Sequence, residues 1–273
     1  MVYLNPRPAK NEILKQYTAE YHVETLLGKK LESQGEIEAQ IRKFDIRAEE
    51  LTEKFGPGKS LLDIGCSAGF FMASLKKYGW AVSGLDVTEW AVKFARDRLS
   101  LDARVGTVED ISFDKKFDVI TLFQILEHYF DPVGSLKKMI GLLREGGTLV
   151  IKGPNLASFD RVWHGKKWLG FHTPYHLYYF TPETYRMMLE KAGFSVEGMV
   201  FQYWNPVVHL MEMGLGDGAR ADHCPDDVVK FDKSRIEIHP AFKALNRAWG
   251  VAAHVLNLKG RDVIIYAKKK GGR

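Results

Sequence analysis

Apolar and polar positions change period several times along the chain, and each change marks an element. From residue 11 to 56 the pattern is polar with helix-like spacing. Ile13, Leu14, Tyr17 and Tyr21 come first, then Ile37, Ile41 and Phe44, then Ala48, Leu51 and Phe55. This predicts two or three helices, stopped at Gly56-Pro57-Gly58. Short apolar runs then alternate with helical stretches. Strands are expected at 60–64, 81–86, 103–106, 117–122, 148–152, 194–203 and 262–268. Helices are expected at 69–78, 89–99, 132–145 and 183–192. Their ends carry signals: Gly79 past the first, Thr88 as N-cap of the second, and Asp131, Pro132 and Gly146 around the third. Thr181 caps the fourth, and Gly193 follows it.

Strands that alternate with helices imply parallel pairing and a sheet covered on both faces. A ligand would sit at the carboxyl ends of the strands, where the winding reverses. Two stretches are longer than this plan needs. Residues 153–181 form a connection with Pro154, Pro174 and many aromatics, and residues 204–260 separate the last two strands. Connections of this length are usually lids or binding elements. Within the second, Phe242, Leu245, Trp249, Ala252 and Leu256 share a helical stripe. It suits a helix packed on the domain, with a membrane-surface or partner contact left open. The organisation expected is a helical cover at 1–56, a core at 57–203, an insertion or lid at 204–260, and a last strand with a basic tail at 261–273.

The candidate chemistry begins in Leu61-Leu62-Asp63-Ile64-Gly65-Cys66-Ser67-Ala68-Gly69, a strand that breaks into a small-residue turn before a helix. Such a turn brings bare backbone N–H groups up to a ligand. A second acid, Asp86, ends Val82-Ser83-Gly84-Leu85-Asp86, and 86 − 63 = 23 residues separate the two. An acid about that far on, at the tip of the second strand of a βαβ unit, is placed to take ribose hydroxyls. A dehydrogenase turn wants G-x-G-x-x-G, but Ser67 and Phe70 fall where its second and third glycines belong. Gly65-Cys66-Ser67-Ala68-Gly69 reads literally as the hydrolase elbow G-x-S-x-G. That elbow needs several strands before it, and residues 1–59 look helical and polar. The third reading is D-x-G-x-[GS]-x-G, which Asp63, Gly65, Ser67 and Gly69 match in order.

That third pattern is the S-adenosylmethionine (SAM) loop of class I methyltransferases, which the chain resembles. The segments that carry the likeness are LLDIGCSAG, VSGLD, VGTVEDI, FDVITLFQILEHYFDP, LLREGGTLVIKGPN and HLYYFTPETYRMMLEKAGF. They cover about residues 58–200 and 262–268. The branch most alike includes ubiquinone-biosynthesis O-methyltransferases and many small-molecule and glycan-pathway enzymes. The resemblance implies a Rossmann-like α/β fold: a seven-stranded, mostly parallel sheet with helices on both faces and the last strand antiparallel. It also implies SAM as cofactor. Asp63 and Gly65 should then face the amino-acid part of SAM, with Ser67 and Gly69 completing the turn. Asp86 should take the ribose hydroxyls. Glu109 and Asp110 lie where the family reads the adenine, with Val108 or Ile111 packing on the ring. Phe123 and Gln124 should line the methionine arm. Tyr17 and Tyr21, one helical turn apart, are placed to close over SAM as a lid.

Methyl transfer is an in-line displacement, so the protein mainly holds donor and acceptor in line. A hydroxyl acceptor also needs its proton removed. Glu127-His128 matches the family's L-E-H after the fourth strand, and His128 is one candidate base. His176 on the aromatic connection, with a role in the acceptor pocket or lid, is the other; the alternative is ordering of the loop for His128 and packing for His176. His172 and His176 are four apart, but no helix is evident between them and no cysteine lies near, so no metal is expected. Trp163, Trp168, Phe171 and Trp204 are expected to line an acceptor pocket.

Composition narrows the partners. The chain has 273 residues, a net charge of +5 and two cysteines, Cys66 and Cys224. No apolar run approaches a membrane span, no secretory leader is visible, and a reduced cytosolic setting is expected. Much of the charge is Lys268-Lys269-Lys270 and Arg273, a solvated tail. Arg161, Lys166, Lys167 and Trp168 are a thin nucleic-acid footprint, so nucleic acid is not the expected partner. The expected acceptor is a small molecule or a nucleotide-sugar or glycan hydroxyl. RNA, C- or N-methylation of a metabolite, and SAM binding without catalysis are the alternatives. Peripheral membrane contact stays open, and the sequence fixes no oligomeric state.

Overall fold

The computed structural model describes residues 2–15, 33–168, 170–202 and 260–270. Tyr17, Tyr21, Trp204 and the 242–256 stripe lie outside the described residues, as does nearly all of the expected 204–260 insertion. The main sheet has seven strands: β1 Ser60–Ile64, β2 Ala81–Asp86, β3 Asp102–Val105, β4 Phe117–Phe123, β5 Leu143–Pro154, β6 Phe194–Gln202 and β7 Asp262–Lys269. Their order is β3-β2-β1-β4-β5-β7-β6. The pairs among β1 to β5 are parallel, and β7 runs antiparallel to both β5 and β6. This is the Rossmann-like arrangement expected.

The described helices are α1 Lys10–Leu14, α2 Gln34–Arg42, α3 Asp45–Phe55, α4 Phe70–Lys76, α5 Glu89–Leu99, α6 Pro132–Leu142, α7 Phe159–His164 and α8 Pro182–Ala192. Alternation along the strands decides which layer each helix joins. Leu61, Val119 and Val150 pack with Ala48 and Leu51 of α3 and with Phe71 and Leu75 of α4. Leu62, Ile120, Leu149 and Ile151 point the other way, onto Leu136 and Met139 of α6 and Tyr185 and Leu189 of α8. Each large side chain buried this way contributes about 1.5–3 kcal/mol. Thus α3 lies against the sheet itself, with Ala48 fully buried.

Local chemistry fixes several ends. Ser33 and Glu36 form a reciprocal cap on α2, and Thr181 and Thr184 do the same on α8. Asp131 accepts the Gly134 N–H at 2.9 Å, with Pro132 opening α6. Two expectations need correction. Helix α6 stops at Leu142 instead of 145, because Leu143 is buried and pairs with Phe117 in the sheet. Tertiary burial wins there, and Gly146, at φ 73°, bends the start of β5 instead of ending a helix. Thr88 does hold the N-cap position of α5, but its side chain makes no capping bond; the buried hydroxyl has no hydrogen-bond partner among the described residues.

The long 153–181 connection contains α7, a short turn at Gly165–Lys167, and Tyr178–Tyr179. Those tyrosines pair antiparallel with Val2–Tyr3, so the start of the chain returns over this connection. Arg7 donates to the Phe130 carbonyl and lies over the Tyr178 ring, 4.8 Å from its centre.

Candidate active site

The strand order reverses between β1 and β4, which opens a crevice at their carboxyl ends. Asp63 stands there. It is buried and accepts the Thr121 hydroxyl at 2.7 Å across the β1–β4 seam. Burial pushes its carboxyl up to about 7; the Thr121 hydrogen bond opposes this, Asp86 adds to it, and Arg47 on α3 opposes it. The Arg47 guanidinium rests over the Phe123 ring, 4.8 Å from its centre. A buried carboxyl held this close to protonation suits a ligand ammonium, and the neighbouring guanidinium suits a ligand carboxylate. These groups fit the amino-acid end of SAM.

The turn after β1 is held by β2. The Gly65 and Cys66 N–H groups both donate to the Leu85 carbonyl, at 2.7 and 3.0 Å. Gly65 has φ 79°, and a Cβ there would collide with the Ile125 side chain. A Cβ on Gly84 would lie 2.6 Å from Cys66 Sγ, so the turn folds over β2 only because that position is bare. Ser67 adopts φ 47°, a strained value for a residue with a side chain.

Asp86 pins this turn. One carboxylate oxygen accepts the Ser67 N–H at 2.8 Å, the other the Thr88 N–H at 2.9 Å. A carboxylate has about four acceptor sites, so roughly half its capacity remains for ribose hydroxyls. Tyr129 lies close by. Burial, then the charges of Glu109 and Asp86, push its phenol well above the usual value. Glu109 accepts the Ser135 hydroxyl on α6, and its carbonyl takes Lys138 Nζ at 2.9 Å. Asp110 is exposed and accepts the Thr107 hydroxyl at 2.7 Å. Local partners therefore hold both acids expected at the adenine. Phe123 packs on Phe71 with ring centres 5.2 Å apart, and Gln124 turns through φ 57° with its N–H on the Lys152 carbonyl at 2.8 Å.

A second pole is assembled beyond β4. Leu126–His128 forms one short helical turn in which Glu127 is fully buried. The His128 and His176 rings meet edge to face with centres 4.7 Å apart, although 48 positions separate them (176 − 128). His176 Nε2 lies 4.0 Å from a Glu127 carboxylate oxygen. His176 Nδ1 is 2.9 Å from the Gly170 carbonyl, which can only accept, so Nδ1 carries the proton and Nε2 the lone pair. The Leu177 N–H donates to the Glu127 carbonyl at 2.9 Å, tying the two segments together through the main chain. Burial pushes His176 down to about 4, the Gly170 carbonyl opposing it and His172 adding to it. Burial and the neighbouring His176 and His172 push His128 well below its usual value, against the Tyr175 and Gln124 carbonyls. Both rings are neutral at pH 7.

The aromatic side chains of the connection divide between surface and interior. Trp163 is 67% exposed, its ring 6.0 Å from that of Phe159. Trp168 is buried, donates from Nε1 to Asp160 at 2.8 Å, and packs edge-on against Phe171. It anchors the connection from inside, so its ring is not on the exposed face of Arg161, Lys166 and Lys167. Sequence reasoning missed Arg47, Thr121 and Tyr129. Thr121 had a signal, a hydroxyl within the apolar run FDVITLF. Arg47 and Tyr129 had none, since only folding brings them to Asp63 and Asp86.

Sheet order, crevice, turn and paired acids define an α/β enzyme of the kind that binds a nucleotide-bearing cofactor. A methyltransferase-domain family model matches residues 37–198, more than half of the chain. The chain belongs to that family and is a SAM-dependent methyltransferase. It is 28% identical over 176 residues to the ubiquinone biosynthesis O-methyltransferase of Xanthomonas axonopodis pv. citri (strain 306), covering 58% of this chain and 74% of the relative. It is 25% identical over 174 residues to the enzyme of the same name from Nitrosospira multiformis, covering 58% and 71%. Among solved structures, it superposes with a TM-score of 0.55 on phosphoethanolamine N-methyltransferase 2 of Haemonchus contortus in complex with SAM, at 16% identity, covering 83% of this chain and 53% of that one. The [4+2]-cyclase SpnF superposes at 0.54, with 19% identity and coverages of 84% and 82%. These structural likenesses show the fold alone, and a cyclase among them illustrates that fold does not choose the reaction. No helix among the described residues is long and apolar enough to cross a membrane.

Proposed function

We propose that this methyltransferase acts on a hydroxyl of a small molecule, an O-methylation. The observation that carries the reading is the neutral His128–His176 pair beside buried Glu127, just past the β4 end of the cofactor crevice. Two curated relatives named O-methyltransferases support it. Bound SAM supplies an electrophilic methyl on a sulfonium that is also the leaving group. The chain does the rest by holding and orienting. Asp63 takes the ammonium, Arg47 the carboxylate and Asp86 the ribose hydroxyls. The backbone of Gly65, Ser67 and Gly69 lets the cofactor approach closely. Phe123 and Gln124 border the methionine arm, and Glu109 with Val108 borders the adenine. Asp110 supports that turn from outside. At the far end, His176 Nε2 or His128 accepts the hydroxyl proton as the methyl is transferred. A ring with so low a pKa holds a proton weakly, so transfer must accompany bond formation.

The test is incubation with methyl-labelled SAM and an acceptor panel of phenols, sugar hydroxyls, amines and RNA. A labelled methyl ether is the expected product. A labelled amine, a C-methyl product or labelled RNA with no ether overturns the reading.

A further inference from the structure

We propose that Lys152 binds an acid group of the acceptor, a carboxylate or a phosphate, so that the substrate is a hydroxylated acid. The reacting hydroxyl rests on the reading above; the acid group does not. Lys152 interrupts an apolar strand, Leu149-Val150-Ile151, at the carboxyl end of β5. Its side chain is only 4% exposed, and its counter-ion is Asp262, 13% exposed, at 3.6 Å. That separation makes an ion pair but no hydrogen bond. A buried pair of loose geometry recovers little of what burying two charges costs, so stability alone does not account for it.

The place of Lys152 in the sheet says what it faces. Side chains alternate along β5, and Val150 packs in the layer with α3 and α4. Lys152, two positions on, shares that face. In register, Val150 stands beside Thr121 and Lys152 beside Phe123, while Thr121 stands beside Asp63. Lys152 therefore continues the face that carries Asp63, one row nearer the carboxyl ends. The Arg47 guanidinium lies over the Phe123 ring, 4.8 Å from its centre. Two cations thus flank Phe123, Arg47 from α3 and Lys152 from the neighbouring strand. SAM has a single carboxylate, assigned to Arg47, and its sulfonium is itself positive. A second buried cation on this face suits a second anion, and the acceptor is the reaction's other ligand.

The next residue joins this face to the acceptor pole. Gly153 points the other way, and a Cβ there would lie 3.5 Å from a Glu127 carboxylate oxygen. The tip of β5 therefore stands between the poles, with Lys152 on the cofactor face and Gly153 against Glu127. The main chain holds that tip. Asn155, fully buried, donates its N–H to the Arg261 carbonyl and its Nδ2 to the Gly260 carbonyl, both at 2.9 Å. These bonds fix Asp262 at the start of β7, so the four-carbon lysine stem is the part that turns toward a ligand. Asp262 balances the ammonium until the acid group arrives.

The experiment uses the full chain, methyl-labelled SAM and a small-molecule extract of cells that make the protein, split on an anion exchanger at pH 8. Acceptor activity should lie in the retained fraction. Phosphatase treatment of that fraction separates the two acids: activity due to a phosphate leaves the retained fraction, and activity due to a carboxylate stays. Lys152→Met should lower labelling of retained acceptors about tenfold or more, with SAM affinity within twofold of wild type by calorimetry. The loss should shrink as the fraction is concentrated, as weakened binding requires. Removing one partner of a buried pair is destabilising, so Lys152→Met/Asp262→Asn removes both charges and should show the same loss. The fractionation, made on the wild type, decides whether or not either variant folds. Acceptor activity confined to the unretained fraction overturns the proposal. So does a SAM-binding variant that labels retained acceptors at the wild-type rate, or that loses the same share at every concentration. A neutral methyl ether as product overturns it and leaves the hydroxyl reading standing. An acidic product labelled on nitrogen or carbon overturns the hydroxyl reading alone.

Discussion

The two poles of the crevice are built on different principles. At the cofactor pole, Asp63, the small-residue turn and Asp86 lie within one βαβ unit, and Asp86 is held by the backbone N–H groups of Ser67 and Thr88. At the acceptor pole, Glu127 and His128 follow β4, while His176 arrives from a separate connection strapped by the first residues of the chain. The first pole is carried on strands, the second on loops. A constant ligand suits rigid strands, and a variable one suits replaceable loops on the same scaffold. The two poles should therefore respond independently to mutation, which gives a way to break the comparison.

The largest effect is expected at the acceptor pole. His176→Ala should lower turnover about 10²–10⁴-fold while the SAM dissociation constant stays within twofold, read by steady-state kinetics and calorimetry. A matching loss of SAM affinity would show the poles to be one unit. Next, Asp86→Ala should weaken SAM binding about 10–100-fold and lower stability, since two backbone N–H groups lose their acceptor along with the ribose. The acceptor KM should change little.

Protonation separates the poles by sign. Burial raises Asp63 to about 7 from 3.8, so the cofactor-free fold holds this proton more tightly than the unfolded chain does. That contribution to stability is present in acid and lost as pH rises from about 4 to about 7. SAM binding runs the opposite way: its ammonium needs the ionised acid, so affinity should fall up to about tenfold per pH unit below about 7. Calorimetry across pH 5–8 on wild type and Asp63→Asn checks this, and the variant should lose the dependence. His176 is lowered to about 4 from 6.5. Its contribution is full above about 6.5 and drains between about 6.5 and 4, where the unfolded chain takes the proton first. In urea unfolding at pH 8, 6 and 4, wild type should lose stability toward pH 4 beyond any loss shown by His176→Asn, so the gap between them should change across that range.

The smallest effect is at Ser67. Its φ of 47° favours glycine, and its contribution to Asp86 is a backbone N–H. Ser67→Gly should keep SAM affinity within twofold and raise stability by up to about 1 kcal/mol in thermal melts. Loss of all activity would revive a nucleophilic role for its hydroxyl.

Much of the cofactor pole was legible because its parts are neighbours in sequence. Asp63, Gly65, Ser67 and Gly69 form one turn, and Asp86 follows after a single helix. The acceptor pole was legible only as candidates: His128 and His176 were both named, but their contact and the share of Glu127 in it were not. Trp163 and Trp168 show why. The two are five positions apart on the same connection, yet one faces solvent and the other is buried on Asp160.

The sequence by itself determined the alternation of strands and helices, most of their ends, and the small-residue turn. Those depend on periodicity, caps and left-handed backbone, which act over a few residues. Only the tertiary structure decided that α6 gives way to β5 at Leu143, that Thr121 and Arg47 meet Asp63, and that His176 lies against Glu127 and His128. Each of those depends on which surfaces are buried together, and burial couples residues far apart in the chain, where no local pattern records the pairing.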